Sequence, residues 1–276
     1  MHIFLYFCTQ NEKYMDDFFS RSEALLGAEV MEALRTKRVI LFGVGGVGSW
    51  CAESLIRTGL MHLTIVDDDV VQASNLNRQL PATRDTMGRA KVEALRERLL
   101  TIHPEASIEA LQKRYTVQMD NGQWTKDNEA FELEEYDYII DAIDDVPAKA
   151  DLIVRASRVK GARVFSSMGA ALRFDPTQVR VAELWDVKGD ALAKAVRARM
   201  KKMDIRPSRK VRCVYSLEQA SRIPNADGTQ AGSAIGEASP VPAIVKGSLM
   251  QVTAVFGCTL AGLVINDVRQ NVSREG

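Results

Sequence analysis

Arg78, Lys91 and Asp144 set two cations and a carboxylate downstream of a glycine cluster, a combination suited to breaking a phosphate bond. The cluster is Gly43, Gly45, Gly46 and Gly48, within RVILFGVGGVG at residues 38–48. Glycines at that spacing permit a tight turn and close backbone approach to phosphates, and a helix N-terminus behind them offers free N–H groups and partial positive charge. Asp67 ends a second β-like run, LTIVDDD, 24 residues after Gly43, where a carboxylate would accept hydrogen bonds from ribose hydroxyls. Asn75 and Gln79 flank Arg78 in the loop that follows. A hydride-transfer site has little use for two cations beside the phosphates. Cleavage between the α- and β-phosphates does, because Arg and Lys offset charge on the departing pyrophosphate. Asp141 and Asp144 close a short strand, where open α/β sheets bind ligands, and a carboxylate there suits Mg²⁺. Taken singly, Arg78 could cap a loop, Lys91 could be a solvated helix residue and Asp144 a helix N-cap.

The elements that must position these groups alternate strand and helix, which predicts an α/β fold with a mostly parallel sheet. Val39–Phe42 is the first strand. Val47, Cys51, Leu55 and Thr58 recur at helical spacing, and Gly59 ends that helix. Further strands are expected at His62–Asp67, Ala106–Leu111, Asp137–Asp141 and Arg163–Ser167, with helices at Gly88–Ile102 and 147–160. Val179–Leu184 alternates and reads as an added antiparallel strand, followed by a helix over 190–203. From Ile205 to about Lys246 the chain is rich in Gly, Ser, Pro and Ala and reads as a long flexible or substrate-ordering loop, with VRCVYS (211–216) its one strand-like piece. Residues 247–267 read as a buried C-terminal helix. No linker separates two cores, so one domain over 1–276 is expected.

The totals exclude several classes. Lys and Arg number 36, Asp and Glu 36, so net charge alone calls for no acidic partner. The four cysteines, Cys8, Cys51, Cys213 and Cys258, form no CxxC pair, which argues against a structural zinc and suits a reducing cytoplasm. The start MHIFLYFC has no basic n-region of a signal peptide. The run at 247–266 is uncharged for 20 residues, near the length of a membrane span, but its polar residues and glycines make a core helix the better reading.

GVGGVGS (43–49), VDDD (66–69), SNLNRQ (74–79), GRAKVE (88–93) and DAIDD (141–145) are similar to the adenylating enzymes of the ThiF/MoeB/HesA superfamily, relatives of ubiquitin-activating E1. The superfamily's separations are matched, 11 residues from Asp67 to Arg78 and 13 from Arg78 to Lys91. The resemblance implies a Rossmann-like E1 fold, a sheet flanked by helices with an antiparallel extension. It implies ATP and Mg²⁺, with Asp67 on the ribose, Asp69 also at the nucleotide, Asn75 and Gln79 shaping the pocket, Arg78 and Lys91 on the phosphates, and Asp144 at Mg²⁺ and the α-phosphate. It also implies a homodimer in which an N-terminal arginine, here Arg21, reaches the other subunit's ATP. The chemistry is attack of a carboxylate on the α-phosphate, giving an acyl-adenylate and pyrophosphate.

Two substrates fit that chemistry. One is the C-terminal glycine of a ubiquitin-like sulfur-carrier protein, for which sulfur-relay or carrier partners would be expected; the missing CxxC pairs count against it. The other is threonylcarbamoyladenosine in tRNA. FDPTQ, the CVYS-x-E stretch at 213–218 and VTAVFG at 252–257 resemble the branch that dehydrates that nucleoside. A reading of another class is a non-catalytic nucleotide-binding interaction module. Residues 194–212 favour tRNA independently, holding nine Lys and Arg against one Asp. Arg197, Arg199, Lys201, Lys202, Arg206, Arg209, Lys210 and Arg212 are the expected phosphate contacts, against the plain alternative of a solvated helix and basic loop. Cys213 lies among these cations. It would be a low-pKa acyl acceptor if exposed and a core residue if its strand is buried.

Overall fold

The computed structural model describes residues 18–117, 131–220 and 247–275, with a short strand pair at 119–120 and 123–124. The elements in order are α1 (Ser20–Leu26), α2 (Ala28–Thr36), β1 (Arg38–Phe42), α3 (Gly48–Thr58), β2 (His62–Val66), α4 (Lys91–Ile102), β3 (Ser107–Leu111), β4 (Met119–Asp120), β5 (Gln123–Trp124), β6 (Tyr138–Asp141), α5 (Val146–Arg158), β7 (Arg163–Ser167), β8 (Val179–Glu183), α6 (Ala191–Lys202), β9 (Arg212–Ser216) and α7 (Met250–Glu275).

Seven strands pair in the order β3-β2-β1-β6-β7-β9-β8, all parallel except β8, which runs antiparallel to β9. The inner strands β1, β2, β6, β7 and β9 are buried on both faces, as a helix-covered sheet requires, and successive side chains feed opposite cores. From β1, Val39 and Leu41 enter the core shared with α3, α4 and α7, while Ile40 and Phe42 enter the core shared with α5 and α6. The chain winds outward from β1 through β2 to β3 and then returns to β6 on β1's other side. That reversal opens a crevice between the carboxyl ends of β1 and β6, the place where such sheets bind ligands.

Several boundaries differ from the sequence reading. Helix α4 begins at Lys91, because Gly88 takes a positive φ and an isolated bridge pairs Val70 with Ala90. The loop expected over 205–246 is interrupted by a full sheet strand, β9, which hydrogen-bonds to both β7 and β8. Residues 221–246 of that loop lie outside the described residues. Helix α7 continues to Glu275, past the expected end at 267. It is long and apolar enough to cross a membrane, yet half of its apolar window is buried inside the protein. Val252, Phe256, Leu260 and Val264 pack into the core, as a core helix should.

Candidate nucleotide site at the carboxyl ends of the strands

The glycine loop is shaped by contacts that allow no side chain. Gly43 has φ +87°, and a Cβ there would lie 2.8 Å from the Ala142 carbonyl after β6. At Gly48 a Cβ would sit 1.8 Å from the Gly43 carbonyl oxygen. These positions bring the start of α3 against the two strand ends, and a helix N-terminus there favours a phosphate. A Cβ at Gly46 would touch Arg78 and Thr253 of α7. Gly257, one turn further along α7, lies over the first turn of α3, where a Cβ would come within 2.4 Å of the Val47 carbonyl. The C-terminal helix therefore backs the loop directly, an arrangement that periodicity in the sequence does not reveal. The signal available was the glycine inside VTAVFG.

Asp67 follows β2 beside that loop. Its two oxygens accept from the Val44 amide at 2.8 Å and the Asp69 amide at 3.0 Å, leaving lone pairs to receive hydroxyls. Burial pushes its pKa above the ordinary carboxylate range, opposed by Lys91 and by those two amides. Lys91, almost fully buried, donates to the Asp69 carboxylate at 2.7 Å. Asp69 thus holds Lys91 in place, a more specific task than lining the nucleotide. With Asp68 these acids form a cluster, and Asp68 and Asp69 are exposed.

Arg78 is anchored by its own turn, one guanidinium nitrogen reaching the Ser74 carbonyl at 2.7 Å and Asn77 at 2.8 Å. Trp50 of α3 donates to the Arg78 carbonyl at 3.1 Å, a support the sequence reading did not include. Burial lowers the Arg78 pKa from its ordinary value, although a guanidinium stays charged. Asn75 is buried and accepts from the Gln72 amide at 3.0 Å, capping a short turn, so its role is to shape the Arg78 loop. Gln79 is buried beneath Gly45, and its Oε1 has no hydrogen-bond partner among the described residues. A buried carbonyl left unpaired costs about 1–3 kcal/mol, which a ligand donor at this spot would recover.

On the β6 side the two acids separate. Asp141 is wholly buried, paired with Lys149 at 2.8 Å and accepting from Ser166 at 2.6 Å, so it is not a metal ligand. Asp145, not Asp144, caps α5 through the Ala148 amide at 2.9 Å. Asp144 is left exposed at the crevice mouth. The site thus joins a glycine cradle that Cβ atoms would fill, an orphaned buried carbonyl, two cations and a free carboxylate. These features fit a nucleoside triphosphate.

Comparison with known proteins agrees. The ThiF family model matches residues 19–268. The chain belongs to the ThiF family. It is 34% identical to a tRNA threonylcarbamoyladenosine dehydratase of Escherichia coli over 267 residues, 94% of this chain and 96% of that protein. A Bacillus subtilis protein of the same description is 36% identical over 200 residues, 72% and 74% of the two chains. The crystal structure of E. coli TcdA in complex with ATP superposes with a TM-score of 0.75 at 30% identity, covering 94% of this chain and 97% of that one.

The other residues singled out in this ThiF-family chain lie elsewhere. Arg21 is exposed on α1, whose neighbour Phe19 packs on His103 and beside Gly59. Gly59 closes α3, about 16 Å along that helix from the glycine loop, so Arg21 does not meet its own chain's site. The basic segment is also remote. Helix α6 starts at Asp190 beside Gly169, just past β7, and runs back toward the strands' amino ends. Lys201, Lys202, Arg206, Lys210 and Arg212 are exposed there. Arg206 also lies over the Trp185 ring at 5.5 Å. Two expected phosphate contacts need correction. Arg197 donates to the Leu184 and Val187 carbonyls, both at 2.8 Å. Arg209 donates to the carbonyls of Ser157 at 2.7 Å, Ala162 at 3.0 Å and Val159. Both guanidinium groups are taken up in satisfying loop backbone, and Arg199 is half-buried. Cys213 faces inward on β9, wholly buried; burial pushes its thiol far up, so it is no thiolate nucleophile.

Proposed function

We propose that this chain uses ATP to activate the carboxylate of threonylcarbamoyladenosine in tRNA and promotes its cyclising dehydration. The similarity to threonylcarbamoyladenosine dehydratases, running nearly end to end alongside an E. coli relative, carries the reading, and the crevice geometry supports it. ATP, when bound, supplies the electrophilic α-phosphorus and a pyrophosphate leaving group. Asp67 would receive the ribose hydroxyls. Arg78 and Lys91 would offset charge on the phosphates as the α–β bridge breaks, and Asp144 would hold Mg²⁺. The substrate carboxylate oxygen bonds to phosphorus as pyrophosphate leaves. The neighbouring carbamoyl group then attacks the acyl carbon and AMP departs with the carboxylate oxygen, so one water's elements leave the nucleoside. No protein nucleophile enters this scheme, which agrees with a buried Cys213.

The same reading includes a cytoplasmic homodimer in which Arg21 of one copy completes the site of the other. The exposed cations at the far end of the sheet would bear on the tRNA body, away from the reacting base. AMP formation tests the substrate. Release should depend on tRNA carrying threonylcarbamoyladenosine. Release driven instead by a carrier protein ending in Gly-Gly would move the assignment to sulfur-carrier activation.

A further inference from the structure

A lysine is seldom fully buried without a specific partner, yet Lys149 of α5 has no exposed surface. Its ammonium donates to the Ile143 carbonyl at 2.8 Å and pairs with Asp141 at 2.8 Å. Asp141 in turn accepts from the Ile143 amide at 3.1 Å and from Ser166 on β7 at 2.6 Å. Both backbone groups of Ile143 are therefore held by one buried ion pair. The rest of the loop is fixed as well. The Ala142 amide donates to the Phe42 carbonyl at 2.8 Å. The Asp145 side chain caps α5, and its carbonyl receives the Lys149 amide at 2.9 Å. Asp144 lies between these pinned residues, exposed, with no hydrogen bond or ion pair to any described residue.

We infer that Lys149, through its pair with Asp141, is a positioning residue that sets the DAIDD loop and aims Asp144 at the phosphates and their cation. The inference rests on the reading of Asp144 given above. Packing alone does not explain the pair, because replacing a buried ion pair with neutral groups of similar volume is often harmless to folding. What neutral groups would not reproduce is the grip on Ile143. A catalytic carboxylate displaced by about 1 Å costs on the order of 10²-fold in rate.

Lys149→Met alone strands Asp141 as an unpaired buried charge, so the test uses Asp141→Asn/Lys149→Met, which is neutral and nearly the same size, together with Lys149→Arg. The double variant is expected to melt near the parent temperature and bind ATP with similar affinity in the absence of Mg²⁺. Its kcat for AMP formation on threonylcarbamoyladenosine tRNA should fall about 10²-fold, together with the part of its ATP affinity that depends on Mg²⁺. Lys149→Arg should recover most of that loss. Adding Asp144→Ala to the double variant should bring kcat no lower than Asp144→Ala does alone, since both changes act through one group. A double variant with the parent kcat, or losses that multiply with those of Asp144→Ala, would overturn the inference. If the parent itself forms no AMP on this tRNA, the substrate assignment fails. Positioning is then read from Mg²⁺-dependent ATP affinity, which both the double variant and Asp144→Ala should lose; its retention by the double variant alone refutes positioning.

Discussion

The two ends of the sheet use their charged groups differently. At the carboxyl ends, charges converge. The Gly43 and Gly48 turn, the Asp67 carboxylate on the Val44 amide, Lys91 on Asp69 and Arg78 on its own loop all surround one crevice. At the amino ends, cations spread over a surface from Lys201 to Arg212, with Arg197 and Arg209 turned inward to carbonyls. The difference teaches that a reaction site is recognised by groups held toward a common point. A dense run of Lys and Arg in the sequence mixes structural residues with those free to meet an RNA backbone.

Filling the crevice should have the largest effect. Gly48→Ala puts a methyl group into the Gly43 carbonyl, and a strain at or above about 3 kcal/mol is expected. Denaturant unfolding should show that destabilisation, and ATP binding should vanish with it; a normal melt with normal binding would mean the turn is not needed as drawn. Next come the charges. Arg78→Ala and Asp144→Ala should each lower AMP formation by roughly 10²–10³-fold while leaving the melting transition in place. Preserved turnover in either would remove that residue from the chemistry.

The far end should respond in two ways. Arg209→Gln is predicted to destabilise the fold by about 2 kcal/mol, because the carbonyls of Val159 and Ala162 would lose the guanidinium that donates to them. Replacing Lys201, Lys202 and Lys210 by Gln should leave stability within about 0.5 kcal/mol. The same triple change should flatten the salt dependence of tRNA binding by about 0.7–0.9 in log–log slope for each RNA phosphate that is no longer neutralised. An unchanged slope would confine this end of the molecule to a solvated surface. Turnover should change least in Cys213→Ser, which buries a hydroxyl at a cost of about 1 kcal/mol of stability and leaves the chemistry intact. Abolished turnover in a folded variant would return a cysteine to the mechanism.

Local pattern made much of this legible. The β1 run, the glycine cluster and the Asp67 strand end lie close together in sequence, and the two cations Arg78 and Lys91 after them pointed to the kind of chemistry. The antiparallel strand at 179–183 was readable from its alternation. What stayed hidden depends on packing across long separations. Nothing in DAIDD tells Asp141 from Asp144 until β7 brings Ser166 beside the first and α5 brings Lys149 beneath it. The packing of Gly257 on α3 joins residues some 200 positions apart, beyond any periodicity. The direction of α6, which carries the basic segment away from the crevice, follows from its Asp190 cap beside Gly169 and from β9 beginning at the amino end of the sheet, and not from composition.

The central claim is that the crevice activates the carboxylate of a tRNA nucleoside. Mass spectrometry of nucleosides from tRNA incubated with the protein and ATP tests it most directly. The account predicts that threonylcarbamoyladenosine loses one water, in step with AMP formation and only when ATP is present. An unchanged nucleoside, with adenylate appearing on a carrier protein's C-terminal glycine, would contradict it.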